Sequence, residues 1–363
     1  MDATLVAVVV VALFFDFTNG FHDAANAIAT SVSTRALAPR TAVAMAAVLN
    51  FLGAFVSLEV AATVAKGIVD ADVVTLDVVL GGLVGAISWN LLTWYFGLPT
   101  SSSHALIGGV AGSAIAANGF DVILWEGVVQ RVMIPSLAAP LFGVLAAAAL
   151  IVGLLWIVRR RSPGTVNRIF RRTQVLSAAF VAFTHGTNDA QKTMGVITLA
   201  LIAAGELRPE AFEVPLWVIV SAAAAMALGT YAGGWRIIRT LGQRVAHLEP
   251  IQGFAAETAT ASILWTTAHA GFPVSTTHTI TGSVMGAGAS RGLSAVRWGV
   301  AGNIVLAWAL TVPMAGLAGA GMEVVTRAPG GDVVVLLLTA AIAGGAFYAR
   351  SYDTRRRALP ASA

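Results

Sequence analysis

Eleven long apolar segments divide this chain, at 3–37, 41–65, 78–97, 100–117, 128–158, 175–204, 214–235, 251–270, 273–290, 297–321 and 332–349. No other feature narrows the fold as far. A bilayer core takes roughly 20 apolar residues per helix, and most of the segments meet that length. Backbone inside lipid must satisfy its own polar groups, which leaves helices and closed barrels. The segments lack the ~10-residue alternation of a barrel strand, so the spans are helical. Charge supports the same class: 22 basic and 18 acidic residues among 363 give 11%, against about 25% in soluble domains. That is too few to coat a water-facing globule. The expected fold is an all-α polytopic membrane protein.

The net charge of +4 does not imply a nucleic-acid partner, because the basic residues gather at the span ends. The absence of cysteine excludes disulfides, thiol catalysis and thiolate metal sites. Residues 3–15 have the apolarity of a signal sequence, but no Lys or Arg precedes them. They are read as the start of a mature membrane helix.

Short cytoplasmic loops collect Lys and Arg. The strongest basic loop is 159–172, with Arg159, Arg160, Arg161, Arg168, Arg171 and Arg172. Placing it in the cytoplasm puts Arg35, Arg40, Arg236, Arg239, Arg244, Arg291 and Arg297 on the same side. Asp70, Asp72, Asp121, Glu126, Glu206, Glu210, Glu213 and Glu323 then fall outside. The N-terminus is expected outside and the C-terminus, with Arg350 and Arg355 to Arg357, in the cytoplasm of a cell (plasma or inner) membrane. Only GLPTSSSH separates 78–97 from 100–117, and only GFPVSTTH separates 251–270 from 273–290. Each pair is either two full spans or a re-entrant hairpin. Parity is the same for both, and the chemistry of the tips favours re-entry.

The halves of the chain echo each other. FTNGFHDA at 17–24 matches FTHGTNDA at 183–190 in five of eight residues. GLPTSSSHALIGGVAG at 97–112 matches GFPVSTTHTITGSVMG at 271–286 in seven of sixteen. Leu52-Gly53 with Leu228-Gly229 and Pro140 with Pro313 are smaller echoes. One unit starts outside and the other inside, which is an inverted-topology repeat of the kind many secondary transporters use. The expected organisation is a first repeat at 1–158, a basic linker at 159–174, a second repeat at 175–325, a final helix at 326–350 and a tail at 351–363, with 357–363 disordered.

Two kinds of polar motif interrupt the apolar background. Asp23, Asn26 and Thr30 are spaced to share one helical face. The matching segment offers His185, Asn188, Asp189, Lys192 and Thr193. An unpaired carboxylate in a membrane span costs several kcal/mol, in the range of about 3 or more. Hard oxygen ligands of this type suit Na⁺, and a protonated carboxyl relay is the other use. The second motif, Gly-x-Pro-x-Ser-Ser/Thr-Ser/Thr-His at 97–104 and 271–278, breaks one helix and caps the next. Two converging helix N-termini would make an anion site. Glu59, Asn90, Gln252, Glu257 and Asn303 are further intramembrane polar residues, with Glu257 placed to titrate or to join helices. His104 and His278 read as hydrogen-bonding braces.

In combination, GFHDAANAIATSVSTRAL, FTHGTNDAQKTMG, the paired GxPxS(S/T)(S/T)H tips and LEPIQGFAAE at 248–257 resemble the inorganic phosphate transporter (PiT) family. The resemblance covers nearly the whole chain. It implies an inverted-repeat symporter that imports phosphate with coupling cations by alternating access. It assigns phosphate to Ser101, Ser102, Ser103, Ser275, Thr276 and Thr277, and cation binding to Asp23, Asn26, Asn188 and Asp189. Lys192 and Glu257 join the coupling group. The sequence departs from the family pattern at His22 and at Gln191-Lys192, which stand where the family has Asn and where the first copy has Ala25-Asn26. An ammonium cannot ligate Na⁺, so Lys192 is expected to replace a cation, or to pair with Asp189 or phosphate. That leaves the coupling ion as H⁺ or Na⁺ and the cargo as free phosphate or a metal–phosphate complex.

Beyond phosphate and the lipid bilayer no partner or cofactor is implied, and a homo-oligomer is open to it. A sulfate permease of the same architecture and an anion channel are the alternatives. An enzyme is not expected: Gly-x-Ser-x-Gly, His-Glu-x-x-His and the phosphate-binding Gly-x-x-x-x-Gly-Lys motifs are all absent.

Overall fold

The computed structural model of the protein describes residues 3–208 and 213–358. Glu210 and the last five residues of the expected tail lie outside the described residues. The described residues form thirteen principal helices: α1 Ala3–Ser33, α2 Pro39–Gly53, α3 Glu59–Lys66, α4 Leu76–Phe96, α5 Ser102–Asn118, α6 Trp125–Val158, α7 Pro163–Ala203, α8 Leu216–Ala232, α9 Trp235–Arg244, α10 Pro250–His269, α11 Thr276–Gly288, α12 Trp298–Thr326 and α13 Gly331–Ala358. No strand forms among the described residues. By length and apolarity α1, α4, α6, α12 and α13 can each cross a bilayer, and α8 with α9 forms a further span bent by 60°.

The repeat is complete at the level of elements. Helices α1–α6 correspond in order to α7–α12, and α13 stands outside the repeat. Each unit opens with a long helix, continues in a broken span (α2–α3, α8–α9), folds into a hairpin (α4–α5, α10–α11) and ends in a long helix holding an internal proline, Pro140 or Pro313. Even the isolated backbone bridges are duplicated, Val69 with Ile123 and Ala246 with Val296. Helix α11, with 13 residues, is only about 20 Å long at 1.5 Å per residue. It cannot cross a core of about 30 Å, so its hairpin is re-entrant.

The two units interlock. A Cβ on Gly20 would stand 2.3 Å from the Met226 carbonyl oxygen, and one on Gly186 would stand 2.2 Å from that of Asn50. Reciprocally, Gly229 meets the Phe17 carbonyl oxygen and Gly53 that of Phe183, both at 2.1 Å. Thus α1 crosses α8 and α7 crosses α2 at glycine-to-backbone distance, where any side chain would push the pair apart. The hairpins exchange in the same way, α5 packing on α12 and α11 on α6, with Gly108 on Val312 and Gly282 on Pro140.

Three sequence-based boundaries move, the first being that of the final helix, which runs as α13 from Gly331 to Ala358 and takes in residues 351–358 of the expected tail. The segment 41–65 is not one helix: residues 54–58 leave the helix between α2 and α3, and Gln191 Oε1 accepts the Val60 and Ala61 amides at 2.9 and 3.3 Å to start α3. The basic linker shrinks to four residues, because α7 begins at Pro163 and carries Arg168, Arg171 and Arg172. Proline suits the first helical turn and arginine is a good helix former. Hydropathy reports spans, so it missed a helix that continues beyond the bilayer.

Candidate functional site

Both hairpin tips use the same local chemistry. Gly97 and Gly271 end α4 and α10 in the left-handed region, at φ 71° and 72°. Leu98 and Phe272 amides then reach back to the Thr93 and Thr267 carbonyls, each at 2.9 Å. That bond closes the helix and turns the chain. Pro99 and Pro273 follow, and Ser101 and Ser275 cap the second arms by accepting the His104 and His278 amides at 3.1 and 3.2 Å. The Ser101 and Ser275 hydroxyls therefore serve the helix ends. The amide groups and side chains of Ser102, Ser103, Thr276 and Thr277 form the first turns beyond them, where a helix presents unpaired N–H groups.

These first turns meet the polar faces of α1 and α7. Ser102 Oγ lies 2.5 Å from both Asn19 Oδ1 and Asp23 Oδ2. Asn26 Nδ2 donates to Thr276 and Thr277 at 3.0 and 2.9 Å. Thr277 donates to Asp23 at 3.3 Å and Thr276 to Asp189 at 3.2 Å. Lys192 Nζ donates to Asp189, to Ser103 Oγ and to the Val274 carbonyl. With Asn188 donating to the Phe272 carbonyl of the second tip at 3.5 Å, every one of the eleven residues assigned to phosphate, cation or ammonium is brought to one place. None is more than 3% exposed, so the site is closed to both sides.

Several acceptors at this place are uncommitted. Asn26 Oδ1 and Asn188 Oδ1 are buried without a hydrogen-bond partner. One ligand atom each from Asp23, His185 and Asp189 lie within 4.8 Å of one another. His185 is oriented from behind: Asn50 donates to Thr230 at 2.8 Å, which turns its Oδ1 to His185 Nδ1 at 3.1 Å. The other ring nitrogen then faces Asp189 Oδ2 at 3.2 Å. His22 leans on Asp23 Oδ1 at 2.8 Å and on Thr93 at 3.2 Å. His104 meets Ser136 at 2.6 Å, whereas the His278 ring stacks on Trp308 at 3.8 Å and leaves its Nε2 buried without a partner.

Glu257 stands apart from this cluster. It accepts from Thr30 and Ser177, both at 2.5 Å, and from Gln174 at 3.0 Å. It therefore ties α10 to α1 and α7. Of the other polar candidates, Asn90 is buried with neither amide atom partnered, and Gln252 completes a capping box with Glu249 at the start of α10. Glu59 and Asn303 are exposed.

Sequence reasoning missed a pair of latches. Thr63 on α3 donates to the Gly271 carbonyl at 2.8 Å, and Thr240 on α9 donates to the Gly97 carbonyl at 3.0 Å. Each half-span thus holds the hairpin tip of the opposite repeat. Arg131 adds to the first latch through Thr63 at 3.1 Å, and Arg236 to the second through the Tyr95 carbonyl. Sequence reasoning also passed over Asp16, which is 0% exposed. It lies seven residues before Asp23, so helical spacing alone puts it on the site-facing stripe of α1.

A model of the phosphate transporter family matches residues 19–319. A Mycobacterium bovis protein described as a probable low-affinity inorganic phosphate transporter is 56% identical over 320 residues, covering 87% of this chain and 76% of the relative. A Bacillus subtilis protein of the same description is 44% identical over 327 residues, covering 88% and 97%. A solved structure described as the sodium-dependent phosphate transporter superposes with a TM-score of 0.81 at 25% identity, over 90% of this chain and 99% of that one. The chain belongs to the phosphate transporter family, and it is a transporter rather than an enzyme.

Proposed function

We propose that the protein imports inorganic phosphate by cation symport through alternating access. The observation that carries this is the convergence of two hairpin tips, with their hydroxyls and helix N-termini, on the Asp23–Asp189–Lys192 group in a closed site. Helix N-termini and hydroxyls hold an oxyanion by donation. Ser102, Ser103, Thr276 and Thr277 are the donors placed to turn from the carboxylates to phosphate.

Charge explains why a cation must come too. Asp23 and Asp189 against Lys192 leave the group with one net negative charge. A phosphate anion added to it in a low-dielectric site is strongly disfavoured unless cations enter first. Asp23, Asn26, Asn188 and Asp189 carry the oxygens for that ion, with Asn26 Oδ1 and Asn188 Oδ1 free to receive it. Lys192 already occupies one side of Asp189 as a built-in cation. The latches supply the gates: releasing Thr63 from Gly271 frees one tip, and releasing Thr240 from Gly97 frees the other. Arginine in the 159–172 stretch supports a cytoplasmic location for that segment, with the N-terminus outside and the C-terminus inside.

The test is radiolabelled phosphate uptake into proteoliposomes, with a Na⁺ or a proton gradient imposed singly. Concentrative uptake under either gradient supports symport and names the ion. Uptake that only equilibrates phosphate indicates a channel, and competition by sulfate at equal concentration removes the assignment of phosphate as the substrate.

A further inference from the structure

Asp16 is the only carboxylate among the described residues whose two oxygens are both buried and unpartnered. It lies on α1 two turns before Asp23, on the stripe that also carries Asn19 and Asn26. Across from it on α7, the Thr193 hydroxyl is likewise fully buried and without a partner. Thr193 and Asn19 are the side chains that face its carboxyl, and the charged groups near it are Asp189 and Lys192. The Lys192 ammonium does not serve it, because its three hydrogens go to Asp189, Ser103 and the Val274 carbonyl.

A carboxylate left bare in a membrane span is unstable unless something positive joins it. The other two site carboxylates are already engaged, Asp23 by His22, Ser102 and Thr277, and Asp189 by Lys192 and Thr276. A cation arriving at either must displace existing partners; at Asp16 it meets only the Thr193 hydroxyl and the Asn19 side chain, neither held to the carboxyl in a well-formed hydrogen bond. Resting on the reading of the chain as a cation-coupled phosphate transporter, we infer that Asp16, with the Thr193 hydroxyl, is a further coupling-cation position beside the Asp23, Asn26, Asn188 and Asp189 oxygens, and that it takes a sodium ion or a proton. With Asp16 counted, three carboxylates face one ammonium. A cation here lowers the net charge of the group from minus two to minus one before phosphate enters. Asp16 is within electrostatic reach of Lys192, so its charge state is felt by the ammonium that already donates to Ser103 on the first hairpin tip. Charge at Asp16 is thereby communicated to a residue placed to hold phosphate.

The experiment compares the full-length chain with Asp16→Asn in proteoliposomes by two readouts. One is phosphate exchange at equal concentrations with no gradient; the other is accumulation driven by a Na⁺ gradient or a proton gradient, each alone. The expected result is exchange retained and accumulation reduced by about tenfold or more, the scale of coupling between two bound ligands. The gradient that drives the unmodified chain tells sodium from proton. Accumulation by Asp16→Asn equal to that of the unmodified chain overturns the inference. Should Asp16→Asn lose exchange as well, Asp16→Glu decides. A changed half-saturating cation concentration with exchange intact supports the assignment, and an unchanged one overturns it. If the unmodified chain exchanges no phosphate, the functional reading has failed by itself. Asp16 is then judged by thermal stability without phosphate: stabilisation by Na⁺ in the unmodified chain but not in Asp16→Asn supports the site, and equal stabilisation of both overturns it.

Discussion

Removing the Lys192 ammonium should be among the most costly single changes in this protein. Lys192 is 2% exposed and Asp189 is 0% exposed, so neither charge can turn to water. Lys192→Met keeps the length of the side chain but leaves the Asp189 carboxylate with Thr276 at 3.2 Å and the His185 ring at 3.2 Å. Breaking a buried pair from one side costs about 3–5 kcal/mol, because the remaining charge is uncompensated. Asp189→Asn with Lys192→Met removes both charges and should recover most of that loss. Denaturation of the purified protein in one detergent, with and without Na⁺, measures both. If Lys192 stands in for a bound cation, Na⁺ should stabilise Lys192→Met more than the unmodified chain. A single variant as stable as the unmodified chain, or a double variant no better than the single, would refute the idea that this pair is held by mutual charge compensation.

The latches give a signed prediction. Thr63→Val and Thr240→Val each remove a hydrogen bond of about 1 kcal/mol, a shift of about fivefold between conformers. Thiol labelling of a cysteine introduced at Ser103 should rise from one side of the membrane for the first and from the opposite side for the second. The chain has no cysteine of its own, so the reporter is unique, and shifts in the same direction would remove the gating role. Gly53→Ala and Gly229→Ala each place a methyl 2.1 Å from a carbonyl oxygen of the crossing helix. They should cost about 1–3 kcal/mol by overpacking, read as a lowered unfolding midpoint; a change at one site only would deny the equivalence of the two crossings. Glu257→Ala takes the acceptor from Thr30, Ser177 and Gln174 and should lower stability by about 3 kcal/mol, with Glu257→Gln milder because one oxygen remains. Equal stability of both with the unmodified chain would show that these bonds do not hold the three helices together.

The spans, the repeat and the residues of the candidate site were legible because each leaves a mark that one sequence can show. Apolar length marks a span, and Gly-Pro-Ser punctuation marks a break. A polar residue in an apolar helix stands out by its cost. Lys192 was visible in this way, as the place where the second copy departs from the first. What stayed hidden depended on pairs remote in the chain. Thr63 and Thr240 are ordinary threonines until the fold sets them against Gly271 and Gly97. Gln191 was visible only as a departure from the first copy, and its role in starting α3 comes from the Val60 and Ala61 amides, remote in the chain. The first turns of α7 were read as linker because arginines mask a helix from hydropathy. Asp16 is legible in the same way, as one more carboxylate in an apolar helix seven residues before Asp23.

The points where the two repeats differ in charge say more about mechanism than the points where they agree. Asp16 aligns with Ala182, Lys192 with Asn26, and Glu257 with Leu83. Each is a buried ionisable residue without a counterpart in the other repeat. Duplication supplies two tips, two latches and two carboxylates, Asp23 and Asp189, and those shared parts treat the two faces of the membrane alike. A site built only from them has no structural reason to respond differently to ions arriving from either side. Lys192 breaks that equivalence by placing a permanent cation at Asp189 but not at Asp23. Asp16 breaks it again by adding a bare carboxylate beside Lys192 with no equivalent near Asn26. On the proposed reading, the symmetric parts provide access from both sides, and Asp16, Lys192 and Glu257 provide for the ion that goes with it. Coupling mutants should fall among Asp16, Lys192 and Glu257, whereas changes at the paired serines and threonines should weaken phosphate binding without changing which ion drives transport.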